Sequence, residues 1–144
     1  MKKPVAIIFA ALCMAVFALA ACAPDEPPAD NNLTPTEGFV FELNEEGNGY
    51  TVTDFTGEAT QIVVPAEYEG LPVTAIQGDY GTGALSRTYI TSVVIPDSVE
   101  VIGQNSFNNC SELVSIEISA NSSLTAIGNN AFSGCSSLGS FYIP

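Results

Sequence analysis

Two stretches of the chain repeat one pattern at a distance of 25 residues. Residues 102–113 read IGQNSFNNCSEL and residues 127–138 read IGNNAFSGCSSL, with isoleucine, glycine, phenylalanine, cysteine and leucine at matching positions. A fixed period of this length indicates a solenoid, because each unit buries its apolar face only against the next unit. Solenoids present extended surfaces on which partners bind.

Each repeat begins with a short alternating strand. Residues 92–95, 115–118 and 140–143 read SVVI, SIEI and SFYI. Alternation sends successive side chains of a strand to opposite faces of its sheet. The side chains predicted to point inward are Val93, Ile95, Ile116, Ile118, Phe141 and Ile143.

The remainder of each repeat returns the chain to the next strand. Residues 99–103 and 124–128 predict a second short extended piece. Residues 105–110 and 130–135 predict a single helical turn, in which the first asparagine acts as the N-cap. The coil is then expected to close through apolar side chains at Phe107, Cys110 and Leu113 and, one repeat later, Phe132, Cys135 and Leu138.

A degenerate copy precedes these repeats. Residues 62–65 align with 93–96, but residues 78–88 contain no phenylalanine. We expect Arg87 to occupy the cysteine position there, with the backbone looped out and the guanidinium in water. The repeats as a whole are assigned to residues 58–144, with the first copy degenerate and the last incomplete.

Residues 38–57 predict a β-hairpin that caps the N-terminal end of the stack. The sequences FVFEL and YTV flank the loop NEEGNG, which is rich in glycine. Residues 42–47, which read ELNEEG, resemble the start of a calcium-binding loop, but Thr53 stands at the twelfth position where a glutamate is required. We therefore interpret it as a hairpin turn.

The N-terminus reads as an export signal. Lys2 and Lys3 precede an uncharged apolar run over residues 4–21, which ends in Leu19-Ala20-Ala21 before Cys22. This ending resembles the lipobox of bacterial lipoproteins, in which the cysteine thiol receives a diacylglycerol and the bond before it is cut. The resemblance implies a signal peptide over residues 1–21, lipidation of Cys22 and a place in the bacterial cell envelope. An uncleaved membrane anchor and simple secretion are the alternatives.

A tether is expected between the lipid and the folded repeats, over residues 22–37. Residues 23–36 hold four prolines, three acids and almost no large apolar side chain. Such a segment cannot form a core and stays semi-extended.

The charge and composition exclude several functions. The chain carries 16 acidic and three basic residues, a net charge of −13, and no histidine. Nucleic-acid binding needs a basic surface, and serine–histidine or cysteine–histidine catalysis needs histidine. A zinc site would need several thiolates, and the folded part has only Cys110 and Cys135. We expect no cofactor, no metal and no enzymatic activity, with a carboxylate-based glycan hydrolase as the least favoured alternative.

The phrases IPDSVEVIGQNSFNNCSELVSIEI and LTAIGNNAFSGCSSLGSFYIP resemble the BspA-type leucine-rich repeats of bacterial surface proteins. The resemblance implies a right-handed leucine-rich-repeat solenoid with a curved sheet on one face. It also implies adhesion to host matrix or cell-surface proteins, and it brings no catalytic residue.

The outward side chains of the strands are the candidate binding surface. Valines and a tyrosine beside hydroxyl groups suit recognition of a protein, although an ordinary solvated sheet is the alternative. The candidate residues are Gln61, Val63, Ser92, Val94, Ser115, Glu117, Ser140 and Tyr142.

Cys110 and Cys135 occupy one position in adjacent coils, so their Cα atoms are expected about 5 Å apart. That distance permits a disulfide in an exported protein. Parallel stacked side chains favour two buried thiols instead, and both states stay open.

Two functions are expected from these features. The first is a membrane-anchored extracytoplasmic lipoprotein that presents its repeats for adhesion or protein–protein interaction. The second is a structural spacer or assembly partner, because Phe141 and Ile143 lack a coil to cover them and solenoids need a polar terminal cap. The chain would then be a fragment, or its C-terminal edge would dock onto a partner.

Overall fold

The computed structural model describes residues 35–78, 82–86 and 88–143. Their regular structure comprises the strands β1 (Phe39–Leu43), β2 (Tyr50–Phe55), β3 (Gln61–Val63), β4 (Glu67–Tyr68), β5 (Leu71–Ile76), β6 (Ser92–Ile95), β7 (Val101–Ile102), β8 (Ser115–Ile118) and β9 (Ala126–Ile127). These residues contain no helix, and so none that could cross a membrane. The predictions for the signal peptide, Cys22 and most of the tether lie outside the described residues, as do Arg87 and Pro144.

The strands stack into two sheets, which together form a solenoid of about three coils. The front sheet, defined as β3, β6 and β8, is parallel throughout. The back sheet has the order β1-β2-β5-β7-β9, with β4 paired to β5. Strands β2, β5, β7 and β9 run parallel, because each coil returns the chain beside its own previous passage. The predicted β-solenoid is therefore confirmed.

Apolar side chains between the sheets form one core. The predicted inward residues of β6 and β8 are at most 7% exposed. Phe107, Cys110 and Leu113 are 0% exposed, so the predicted closure of the second coil holds. The equivalent residues of the next coil are only partly buried, because the described chain places no further coil over them; they are Phe132, Cys135 and Leu138.

The segments that connect the back sheet to the front sheet, over 105–110 and 130–135, form turns and no helix. The predicted helical turn is therefore wrong. Asn105, Asn109 and Asn130 have φ values of 58°, 61° and 57°. This left-handed backbone interrupts a right-handed helix, and asparagine adopts it more readily than most residues. An N-cap residue would instead have an extended backbone. The turns of adjacent coils bond to each other, as when the Phe107 N–H donates to the Ala131 carbonyl oxygen at 2.8 Å.

Strands β1 and β2 form an antiparallel hairpin with a bulge between Val40 and Phe41. The Asn44 N–H closes the loop by donating to the Gly49 carbonyl oxygen at 2.9 Å. Because β2 pairs in parallel with β5, the hairpin continues the back sheet at its N-terminal end.

An aromatic cluster packs the hairpin against β4. The rings of Phe41 and Tyr68 stack at 4.2 Å between centroids, and Tyr50 meets Tyr68 edge-on at 5.0 Å. The Tyr50 hydroxyl donates to Glu69 Oε2 at 3.0 Å. This hydrogen bond to a carboxylate raises the pKa of Tyr50 above its ordinary value, since the carboxylate stabilises the protonated phenol.

The end of the predicted tether lies along the front sheet. The Thr36 N–H donates to the Val63 carbonyl oxygen at 3.0 Å, and the Val63 N–H donates to Thr36 Oγ1 at 2.9 Å. The outer edge of a sheet leaves backbone N–H and carbonyl groups unpaired. Thr36 pairs with one N–H and one carbonyl group on the edge strand β3. The tether was expected to run to residue 37. The structure bonds it to β3 at Thr36, one residue before that predicted end.

Candidate functional site

The front sheet brings six of the eight candidate residues into two rows. In the ladder, Val63 pairs with Val94 and Val94 with Glu117, which forms the first row. The second row runs from Gln61 through Ser92 to Ser115. Since the intervening inward side chains are buried, both rows lie on the solvent side of the front sheet.

Exposure varies from residue to residue within both rows. Gln61, Ser115 and Glu117 are exposed, whereas Val63 and Val94 are half-buried. The surface therefore combines partly accessible apolar groups with hydroxyl, amide and carboxylate groups. That mixture suits a protein partner, since interface cores are apolar and their rims are polar.

The structure does not bring Ser140 and Tyr142 into these rows. The predicted strand over residues 140–143 is wrong, because the backbone there forms no strand. Phe141 packs against Phe132 with the centroids 5.3 Å apart, so its contact is made by the ring and not by sheet pairing. Tyr142 is 67% exposed and Ile143, predicted to point inward, is 48% exposed.

A column of polar groups links the three coils inside the turns. Cys110 Sγ donates to the Leu85 carbonyl oxygen at 2.9 Å, and Cys135 Sγ donates to the Phe107 carbonyl oxygen at 3.1 Å. Thr88 Oγ1 also donates to the Leu85 carbonyl oxygen and lies 3.6 Å from Cys110 Sγ. Each thiol therefore bonds to the backbone of the preceding coil.

Thr88 occupies the position that was predicted for Arg87. The Leu85 N–H donates to the Ser106 carbonyl oxygen, and one coil later the Phe107 N–H donates to the Ala131 carbonyl oxygen. Leu85 therefore occupies the position that phenylalanine has in the other coils. Leu85 is fully buried, as Phe107 is. Cys110 follows Phe107 by three residues, and the residue three after Leu85 is Thr88, which is therefore equivalent to Cys110. The stretch from Leu85 to Ile90 is one residue shorter than the equivalent stretch from Phe107 to Leu113. Counting back three residues from Ile90 therefore reaches Arg87, one residue before the true equivalent of Cys110.

Both cysteines are free thiols in the structure, Cys110 buried and Cys135 half-buried. Burial raises the pKa of the Cys135 thiol, and the neighbouring Cys110 adds to the rise. A raised pKa keeps the thiol neutral and therefore poorly nucleophilic. The arrangement suits packing and hydrogen bonding rather than covalent catalysis.

Neither a metal-ligand cluster nor an unpartnered buried polar group marks a site in the described part of the chain. That part contains no group of three His, Cys, Asp or Glu residues placed to hold an ion. No buried side-chain polar atom there lacks a hydrogen-bond partner. Sequence reasoning missed a different feature, a polar groove beside the hairpin loop, because its walls come from segments far apart in the chain.

Comparison with known proteins gives consistent matches. The sequence pattern described as the BspA type leucine rich repeat region (6 copies) matches residues 79–144. No curated protein matches the chain. A solved leucine-rich repeat protein from Bacteroides capillosus ATCC 29799 is 30% identical with a TM-score of 0.60; the match covers 73% of this chain and 77% of that one.

Two further solved structures are much longer than this chain. A leucine rich cell surface protein from Faecalibacterium prausnitzii A2-165 is 34% identical with a TM-score of 0.61, over 73% of this chain and 28% of that one. The T. pallidum leucine rich repeat protein is 31% identical with a TM-score of 0.62, over 73% of this chain and 47% of that one. The chain thus spans less than half the length of these two proteins.

Proposed function

Since the chain belongs to the BspA-type leucine-rich repeat family, we propose that it is an extracytoplasmic lipoprotein whose front sheet binds a protein partner. Leucine-rich repeat folds are typically non-enzymatic binding scaffolds. The similar protein from Faecalibacterium prausnitzii is described as a cell surface protein, and a surface location suits adhesion to a host matrix or cell-surface protein.

The observation that carries this proposal is the register of the front sheet. Parallel pairing aligns Val63, Val94 and Glu117 in one row on the solvent side, with hydroxyl groups in the row beside it. A partner that lies across the sheet would contact equivalent positions of successive coils at once. Repeat proteins form extended binding surfaces in this way.

The lipid anchor in this proposal rests on the sequence around Cys22. Small residues at Ala20 and Ala21 precede the cysteine, as in lipoproteins that are cut and acylated there. Two acyl chains of a diacylglycerol hold a protein stably on a membrane, whereas one chain holds it only marginally. The acidic, proline-rich segment after Cys22 would keep the repeats away from anionic headgroups.

The domain assignment follows from the same reasoning. The proposed order is a signal peptide over 1–21, a lipidated tether over 22–37, a hairpin over 38–57 and right-handed repeats over 58–144. The hairpin would act as the N-terminal cap, since β1 covers the edge of β2 that faces away from the coils.

A charge placed on the front sheet tests the binding proposal. The protein would be captured on an immobilised extracellular-matrix preparation, and its retention compared with two variants. We expect Val94→Asp to reduce capture about tenfold, because a carboxylate desolvated at an interface is strongly unfavourable. Val40→Asp puts the same charge on the back sheet and should change capture less than about twofold. Equal capture by both variants and the parent would reject the front sheet as the site.

A spacer or assembly role is the second candidate, supported by the partly buried third coil. Phe132, Cys135 and Leu138 are less covered than the equivalent residues of the second coil. A docking partner would complete this core. Sedimentation velocity over a range of concentrations tests the homotypic form: Phe132→Glu should abolish a dimer if this face assembles, and a monomer at all concentrations would reject self-assembly.

A further inference from the structure

A groove of about 580 Å³ opens on the outer side of the back sheet, beside the hairpin loop. Val52 of β2 is buried, so its neighbours Thr51 and Thr53 face outward and line the groove. Glu42 pairs directly opposite Thr51 in the hairpin. The other walls include Leu43 and Glu45 from the hairpin, and Gln77 and Gln104 from the chain that follows β5 and β7.

The floor of this groove is held in place by backbone hydrogen bonds. The Gln77 N–H donates to the Val52 carbonyl oxygen at 2.9 Å, and the Gly103 N–H donates to the Ile76 carbonyl oxygen at 2.7 Å. The Gln77 side chain fills the space left by the missing Cβ of Gly103, where an added Cβ would lie 2.7 Å from Gln77 Cβ. A binding site held in this way is largely formed before a ligand arrives.

The hairpin loop that forms one wall is also fixed. Asn44 Nδ2 donates to Asn48 Oδ1 at 2.8 Å, and the Asn48 N–H donates back to Asn44 Oδ1 at 3.1 Å. These two bonds join the first residue of the loop to its fifth residue. Glu45, which lies between them, lines the groove.

The lining has the chemistry to receive a long cationic side chain. Glu42 and Glu45 supply carboxylates, and the described residues contain no Lys, Arg or His to neutralise them. Leu43 is 53% exposed and offers an apolar surface to a methylene stem. Lysine and arginine pack their stems on apolar surface while the charged head bonds to carboxylates.

Other ligand classes fit the groove less well. Anionic ligands would be repelled by its carboxylates. Sugars are usually held against aromatic rings, but the described lining has none; Phe41, Tyr50 and Tyr68 pack on one another elsewhere. A metal would need a cluster of ligands that the described residues lack.

We propose that this groove binds an arginine or lysine side chain on an extended segment of a partner protein. The groove lies on the back sheet, so this second contact is separate from the front-sheet site. Its failure would leave the front-sheet proposal intact.

The experiment uses the full chain in detergent micelles and a defined probe. N-acetyl-Gly-Arg-Gly-Arg-Gly-amide is titrated into the ¹⁵N-labelled protein, and the same peptide with glutamate in place of arginine serves as the control ligand. We expect the arginine peptide to shift the amide resonances of the groove residues and of the chain after β5 and β7. The glutamate peptide should leave them unchanged.

Matched charge variants separate the groove from the general acidity of the chain. Glu42→Gln with Glu45→Gln should weaken binding about tenfold, because two charge-assisted contacts are lost at an exposed site. Glu58→Gln with Glu112→Gln removes two exposed carboxylates outside the groove and should weaken binding less than about twofold. Equal weakening by both pairs, shifts centred on the front sheet, or no shift at all would overturn the proposal. So would groove shifts caused by a neutral chitooligosaccharide but not by the arginine peptide.

Discussion

Alanine substitutions at Phe107 and Phe132 test whether each coil is stabilised only by the next. The two rings stack across adjacent coils, with centroids 5.2 Å apart and planes 17° from parallel. Phe107 is 0% exposed, so Phe107→Ala loses the transfer free energy of the ring and leaves an enclosed cavity. Such a change should lower the free energy of unfolding by about 3–5 kcal/mol.

Phe132→Ala should cost much less. Phe132 is only partly buried, and no described coil covers it, so its loss leaves no enclosed cavity. Only a fraction of the roughly 1.5–3 kcal/mol for burying a large apolar side chain is then lost, and we expect about 1–2 kcal/mol. Urea unfolding followed by far-UV circular dichroism measures both values, provided that the m-value stays constant.

Two results would refute this reasoning. Equal costs at the two positions would mean that Phe132 is covered in the folded protein. A cost below about 1 kcal/mol at Phe107 would mean that the ring column is not part of the core. The double variant gives a further check, since the coupling between the stacked rings should be about 0.5–1.5 kcal/mol.

Three further predictions follow from individual contacts. Gly83→Ala should destabilise the protein by about 1–3 kcal/mol in thermal melts, because an added Cβ would clash with the Asn105 carbonyl oxygen. The matched change Gly139→Ala meets nothing within 4 Å and should change stability by less than about 0.5 kcal/mol. Alkylation without reductant, read by mass, should label Cys110 and Cys135 slowly in the native protein and completely in urea; no labelling in urea would indicate the disulfide. Glu69→Gln should lower the pKa of Tyr50 in a phenolate absorbance titration, and an unchanged value would argue against the hydrogen bond.

The sequence predicted the front-sheet strands well because two signals coincide there. The alternation of side chains sets which residues face inward, and the repeat of SVVI as SIEI sets the register between coils. Repeats also identified Phe107, Cys110 and Leu113 as core residues. A pattern that recurs in sequence must recur in space when the coils stack.

The failed predictions depend on backbone details that residue types do not settle. Asparagine favours both helix N-caps and left-handed turns, and only the φ values of Asn105 and Asn130 distinguish them. A single missing residue before Ile90 moved Thr88 into the position assigned to Arg87. The groove could not be predicted, since Glu42 lies in β1 and Gln104 follows β7, and no local pattern links them.

We propose that the repeats are displayed outside the membrane on a lipid attached to Cys22. Protein extracted from native membranes with detergent can be digested with a glutamate-specific protease, which leaves the Glu26–Pro27 bond intact because it does not cut before proline. The peptide ending at Glu37 is then analysed by mass spectrometry. If Cys22 is lipidated, this peptide begins at Cys22 and carries a diacylglyceryl group on the thiol, with or without a further acyl chain on the new amino terminus. An unmodified Cys22 in a chain that still begins at Met1 would contradict it.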